Sequence, residues 1–395
     1  MSAWVLPDHI ADVLPSEARH LEELRRGLLD TAQTYGYELV IPPLLEHLDS
    51  LLTGAGKTLD LQTFKLVDQM SGRMLGLRAD TTQQAARIDA HLLNRSGVTR
   101  LCYCGPVVHV RPDQPLSTRE PLQFGAEIYG CSSIQGDIEA LTLALDCLRT
   151  AQIRDMHVDL CDGRVARAIL DRADAEASMA ERIYAALAAK DRAMLSVLSE
   201  SFPADSRRAL LELVGLYGDA SVLDRAARAF ASFGELGHVF EELRLLLSRV
   251  DGASVGFDFA DVGGYSYYSG VRFAIYVQSS GAAVARGGRY DEVGSVFGRN
   301  RPAVGFSLDL RRLVGLAQHP PLRPAILAPW HVEGHEAAAS AESDLATVVR
   351  ALRASGETVI FTSDIGQAHE SGEFVCDRSL VLRGCRWVTE NLQNQ

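Results

Sequence analysis

No run of this sequence approaches the ~18–20 consecutive apolar residues that span a bilayer, which argues against a membrane protein. The stretch Met1–Pro15 carries Asp8 and Asp12 and has no basic n-region, so no secretory signal is expected. The seven cysteines are odd in number and scattered without framework spacing. That pattern favours a reducing, cytoplasmic setting over a disulfide scaffold. Cys102 and Cys104 share a strand face, but no second ligand pair lies near them in sequence, so no metal site is expected. Clustered lysine and arginine are also missing. The formal net charge is −12, and the basic residues mix with acids on helical patterns, so no groove for a large nucleic acid is visible. Gly54-Ala-Gly-Lys-Thr58 invites a phosphate-loop reading, but Leu51 stands where that loop needs its first glycine and no hydrophobic strand precedes it. No other cofactor motif is present, and none is expected.

What is present is enough apolar residue, 47% of 395, for a large core and two or three domains. The most informative stretch is Leu122-Gln-Phe-Gly-Ala-Glu-Ile-Tyr-Gly130, which alternates strictly. Leu122, Phe124, Ala126 and Ile128 face one way, and Gln123, Gly125, Glu127 and Tyr129 the other. An ordinary half-solvated strand shows the same alternation. Here, however, the polar face carries an amide and a carboxylate about 13 Å apart along the strand, with a glycine between them. Leaning over that bare patch, the two side chains would form the floor of a small polar pocket. Before it, Cys102-Tyr-Cys-Gly-Pro106 ends in a breaker, Val107–Val110 reads as a second strand, and 112–121 as a polar, proline-punctuated loop.

Elsewhere, Ser16–Tyr35 has the apolar stripe Leu21, Leu24, Leu28 and Ala32 of an amphipathic helix, followed by a short strand that Pro42-Pro43 stops. Thr63–Asp68 and Met74–Leu77 read as a hairpin across Ser71-Gly72, with Arg78-Ala-Asp-Thr-Thr82 and a helix to His91 after it. Helical periodicity over Asp137–Thr150 precedes a strand at Met156–Leu160. Residues 165–250 turn alanine- and leucine-rich and read as a helical insertion. Strands resume at Ser254–Phe259, Val271–Val277 and Ala282–Ala285. After Pro320-Pro321 a short α/β piece is expected, giving domains 1–319 and 320–395.

The strand–loop–strand around Gln123-x-Gly-x-Glu127 resembles motif 2 of class II aminoacyl-tRNA synthetases, and most closely that of histidyl-tRNA synthetases. Other segments match the same family in the same order. Ser16–Pro43 resembles its motif 1, Arg78–Thr82 its Arg-Pro-Glu-Gly-Thr segment, and Tyr267-Tyr268 the tyrosine pair of its histidine signature. Gly287-Gly-Arg-Tyr-Asp291 resembles the next signature, and Pro302–Phe306 with Arg312 resembles motif 3. The resemblance covers residues 1–319 and implies an α+β fold: a mixed, mainly antiparallel sheet flanked by helices, with a helical insertion. It also implies a homodimer through motif 1. The histidine-binding set it implies is Asp80, Thr82, Arg111, Gln123, Glu127, Tyr267, Tyr268 and Tyr290.

Against that pattern the chemistry of amino-acid activation is missing. The motif 2 arginine position is Val108 and its glutamate position Val110, the signature arginine position is Gly263, and Asp309 replaces a motif 3 glycine. Positioned arginines neutralise the charge that builds on the α-phosphate, and losing even one such donor typically lowers the rate ~10²–10³-fold. The tail is also shorter than the family's anticodon-binding domain. A chain that keeps the ligand set and loses the reaction resembles the regulatory subunits of ATP phosphoribosyltransferase. That likeness implies no catalytic activity of its own, L-histidine as ligand, a short-form catalytic subunit as partner, a homodimer within a hetero-octamer, and no tRNA. The alternatives are a working histidyl-tRNA synthetase and another synthetase paralogue that senses histidine.

Overall fold

The computed structural model describes residues 5–53, 57–115, 117–262, 267–294, 297–318, 321–330, 338–363, 368–384 and 386–392. Contacts divide the chain into two units, Met1–Asp12 with Leu21–Gln318, and Val13–His20 with His319–Gln395. The partial phosphate loop at Gly54–Gly56, the Gly263 position and the boundary at Pro320 lie outside the described residues.

The chain starts with α1 (Pro15–Thr34), which buries Leu24, Leu28 and Ala32, the stripe its spacing predicts. Next come β1 (Glu38–Leu39), β2 (Leu45–His47), α2 (Leu48–Leu51), α3 (Lys57–Gln62), β3 (Lys65–Val67) and β4 (Met74–Leu77). α4 (Thr82–Arg87) runs on as a π-helical stretch, Ile88–Leu93. Then follow β5 (Thr99–Pro106), β6 (Leu122–Tyr129), α5 (Ile134–Thr150) and β7 (Met156–Asp162). The alanine- and leucine-rich stretch forms α6 (Gly163–Arg172), α7 (Ala177–Ala188), α8 (Arg192–Leu198), α9 (Ala204–Leu213), a short β8 (Tyr217–Gly218), α10 (Ser221–Ala229) and α11 (Leu236–Leu247). β9 (Ala253–Asp258), β10 (Val271–Val277), β11 (Ala285–Arg289), β12 (Ala303–Asp309) and α12 (Leu310–Val314) complete this unit.

Nine strands form one sheet in the order β1-β5-β6-β12-β11-β10-β7-β9-β8. Only β1/β5 and β7/β9 are parallel; the other neighbours are antiparallel. β6 therefore sits inside the sheet, where it is buried on both faces rather than one. Its apolar face joins α1 and α5 in the main core, through Phe124, Ala126 and Ile128. Its polar face is buried too, and the site is built there. β3 and β4 pair as the expected hairpin, with β2 on the other side of β4.

Two strand expectations are corrected. Val107–Val110 is not a strand: its successive N–H groups go to the carbonyls of Pro121, Arg78, Arg119 and Gln62, four separate partners, with a lone bridge from His109 to Thr63. Pro106 ends the ladder, and no single neighbour offers the continuous edge that a strand needs. The strand expected at Ala282–Ala285 lies further on, where Ala285–Arg289 pairs with both β10 and β12.

The second unit contains β13 (Arg323–Pro329), α13 (Ala338–Ala354), β14 (Thr358–Thr362), β15 (His369–Ser371), β16 (Phe374–Arg383) and β17 (Arg386–Asn391). β13 pairs in parallel with β14 and β16, while β15 and β17 pair antiparallel with β16. Its core gathers Ile326, Ala328, Leu345, Val349, Val359 and Leu380.

Candidate functional site

Register places Tyr103 of β5 directly across from Gly125 of β6. The patch that Gly125 leaves bare is therefore filled: a Cβ there would lie 2.3 Å from the Tyr103 hydroxyl oxygen, so only glycine fits. Around that ring runs one hydrogen-bonded chain. The Gln123 carboxamide oxygen accepts from the Thr81 backbone N–H at 2.9 Å, and its Nε2 donates to Asp80 Oδ1 at 2.8 Å. The same oxygen accepts from the Thr82 N–H and the Thr82 hydroxyl, each at 3.0 Å. Thr82 Oγ1 lies 3.1 Å from the Tyr103 hydroxyl, which donates to Glu127 Oε1 at 2.9 Å. The Tyr290 hydroxyl donates to Glu127 Oε2.

Glu127 is 1% exposed, and burial pushes its carboxyl up to about 8, against the lowering effect of the two tyrosine hydroxyls. Gly305 on β12 makes this burial possible, because a Cβ there would meet Glu127 Oε2 at 1.7 Å. Tyr267 stacks on Tyr290 with ring centroids 5.0 Å apart and stands edge-on to Tyr268 at 5.1 Å.

A cavity of about 580 Å³ opens beside this network. Asp80, Gln83, Gln123, Tyr267 and Tyr268 line it, as do His109, Arg286, Asp309 and Arg312. Of the eight residues named from the sequence, four reach the cavity: Asp80, Gln123, Tyr267 and Tyr268. Thr82, Glu127 and Tyr290 sit behind its wall, tied to it through hydroxyls. Arg111 is not brought in: it is exposed, donates only its backbone N–H to Gln62 Oε1 at 3.4 Å, and lines no part of the cavity. Val108 is also absent from the lining, while its neighbour His109 donates Nε2–H to the Ala79 carbonyl at 2.9 Å.

The signature cations turn out to be structural. Arg78 is 5% exposed and donates to the carbonyls of Pro106 and Pro42 at 2.8 and 2.9 Å. Arg289 forms a buried ion pair with Asp137. Sequence reading missed Tyr103 and Gln83. For Tyr103 the signal existed, since a strand pairing with β6 would bring an aromatic over Gly125, but the register was needed to name it. Among the described residues, no group of three or more histidine, cysteine, aspartate or glutamate side chains is placed to hold a metal ion.

A large antiparallel sheet carrying a buried amide–carboxylate–tyrosine pocket on its inner strands defines the class. Residues 9–313 match the family described as histidyl-tRNA synthetase, and residues 323–390 match the ATP phosphoribosyltransferase subunit HisZ C-terminal domain. The chain is 59% identical to the ATP phosphoribosyltransferase regulatory subunit of Albidiferax ferrireducens, over 99% of this chain and 100% of that one. It is 60% identical to the same-named protein of an Acidovorax species, over 99% and 100%. Among solved structures it is similar to an ATP phosphoribosyltransferase regulatory subunit/histidyl-tRNA synthetase from Bacillus halodurans, with a TM-score of 0.77 at 27% identity over 92% and 93% of the two chains. A histidyl-tRNA synthetase from Nostoc sp. PCC 7120 shares the fold, with a TM-score of 0.74 at 19% identity over 93% and 88%. The chain belongs to the ATP phosphoribosyltransferase regulatory subunits, a family named for regulation rather than catalysis and built on the synthetase fold.

Proposed function

We propose that the cavity binds free L-histidine and that the chain reports its level to a short-form ATP phosphoribosyltransferase catalytic subunit, activating it and mediating its inhibition by histidine. The observation that carries this reading is the Gln123–Asp80 pair. A carboxylate held in place by three donors, on the wall of a cavity, suits a ligand ammonium. Tyr267 and Tyr268 supply flat walls for an imidazole. Glu127 is the proposed acceptor for the ring N–H. Two tyrosine hydroxyls take only two of its roughly four lone-pair sites.

The absence of activation chemistry supports a binder over a synthetase. No guanidinium stands at position 108, and Asp309 brings a carboxylate to the cavity wall beside Arg312. The lack of clustered lysine and arginine along the sequence argues against tRNA as a partner. Free cysteines at six described positions and no described helix able to cross a membrane support a cytoplasmic setting. We take residues 1–319 as the synthetase-like domain and 320–395 as a short C-terminal domain. In the assembly we propose, a homodimer of this chain forms the core of a hetero-octamer.

Calorimetric titration of the purified chain with L-histidine, alongside histidine-dependent exchange of pyrophosphate into ATP, tests the ligand and the missing activity together. Saturable binding with no exchange is expected. Exchange at a synthetase-like rate would overturn the reading, as would the absence of any binding.

A further inference from the structure

Gln83 is 4% exposed and lines the cavity, yet its carboxamide oxygen has no hydrogen-bond partner among the described residues. Its neighbour Gln84 also has an unpartnered carboxamide oxygen, but its Nε2 is anchored to the Pro43 carbonyl at 2.8 Å and to Glu46 Oε1 at 2.9 Å, and it does not line the cavity as Gln83 does. An acceptor buried without a donor is unfavourable, and native proteins rarely keep one that no donor reaches. Gln83 lies in the first turn of α4 and Asp80 just before its N-cap Thr81, and both line the same cavity. Asp80 Oδ1 already accepts from Thr82 twice and from Gln123. A primary ammonium brings three N–H donors, more than the remaining capacity of one carboxylate naturally takes up.

We propose that Gln83 is a ligand-contacting, specificity-setting residue, whose carboxamide oxygen shares the ligand's ammonium group with Asp80. The inference rests on the histidine reading of the cavity and adds to it a residue outside the sequence-derived set. It makes the site selective for free α-amino acids over acylated or otherwise donor-poor compounds, because a group without the extra N–H leaves this buried oxygen unpaired.

The test is calorimetric titration of full-length wild type, Gln83→Leu and Gln83→Glu with L-histidine, with thermal unfolding of each as a check on folding. Gln83→Leu keeps the volume and removes the acceptor, so affinity should fall roughly ten- to a hundredfold. Gln83→Glu should bind more tightly than Gln83→Leu, since its carboxylate faces a cation. In a packing role the ranking would reverse, because a buried charge without a ligand partner is worse than leucine. Wild-type affinity in Gln83→Leu overturns the proposal, and so does a Gln83→Glu affinity at or below that of Gln83→Leu. Should Gln83→Leu lose its cooperative transition, Gln83→Asn, which shortens the reach by one methylene, is read against the same thresholds. Wild type that binds no histidine would instead bring down the reading of the cavity itself, a different result from either ranking.

Discussion

Glu127 concentrates the physics of this site in one side chain. It is buried and receives the hydroxyls of Tyr103 and Tyr290. Its carboxyl is pushed from an ordinary 4.5 up to about 8, chiefly by burial. Folding therefore takes up a proton between those two values. Stability linked to Glu127 is full below about pH 4.5 and declines as pH rises toward about 8, by up to about 1.4 kcal/mol per pH unit. Glu127→Gln removes the titration while keeping the shape. Urea unfolding of both proteins at about pH 5 and about pH 7.5 should show the stability of wild type falling relative to the variant as pH rises. A pH-independent difference would mean that the carboxyl titrates normally.

Among the elements, α12 shows how a substitution that removes chemistry can serve the fold. Asp309 ends β12 and caps α12: its Oδ1 accepts from the Arg311 N–H at 3.0 Å and the Leu122 N–H at 3.1 Å. The carboxylate thus joins the start of β6 to the helix that carries Arg312. Asp309→Ala leaves both donors unpaired and should destabilise the protein by about 1–2 kcal/mol, read as a lower denaturant midpoint at unchanged slope. Restoring the synthetase-type residue with Asp309→Gly should not restore pyrophosphate exchange, because the arginine at position 108 would still be missing. Exchange in that single variant would show that Asp309 alone had silenced the site.

For the whole molecule, the edge of the large sheet is the feature left open. β1 is one of its two edge strands, and Ile41 just beyond it is 84% exposed, with Leu39 at 49% and Leu45, on the separate β2, at 44%. Exposed apolar side chains near an edge strand are a candidate interface. These residues fall in or beside the Ser16–Pro43 segment that resembles motif 1, so a dimer through it is the expected state. Ile41→Lys places a charge in that contact and should shift light-scattering mass at micromolar concentration from dimer toward monomer. A dimer undisturbed by it would move the interface elsewhere.

The sequence alone carried the period-2 alternation of β6, the stripe of α1, the helical insertion and the order of the family signatures. Each is a local pattern, so each was legible along the chain. It also identified Asp80, Gln123 and the tyrosine pair as cavity residues, and the missing arginine at position 108. Only the tertiary structure decided what faces what. Gly125 looked like an open floor until register set Tyr103 against it. Glu127 looked like a wall of the pocket until β12, with Gly305, closed over it. Arg111 looked available until the irregular path after Pro106 left it in solvent. Gln83 drew no reading from the sequence, and only the fold leaves its oxygen buried without a partner among the described residues. All four outcomes depend on strand register and close approach between segments far apart in sequence. Such distances follow from packing the whole sheet, and no local pattern encodes them.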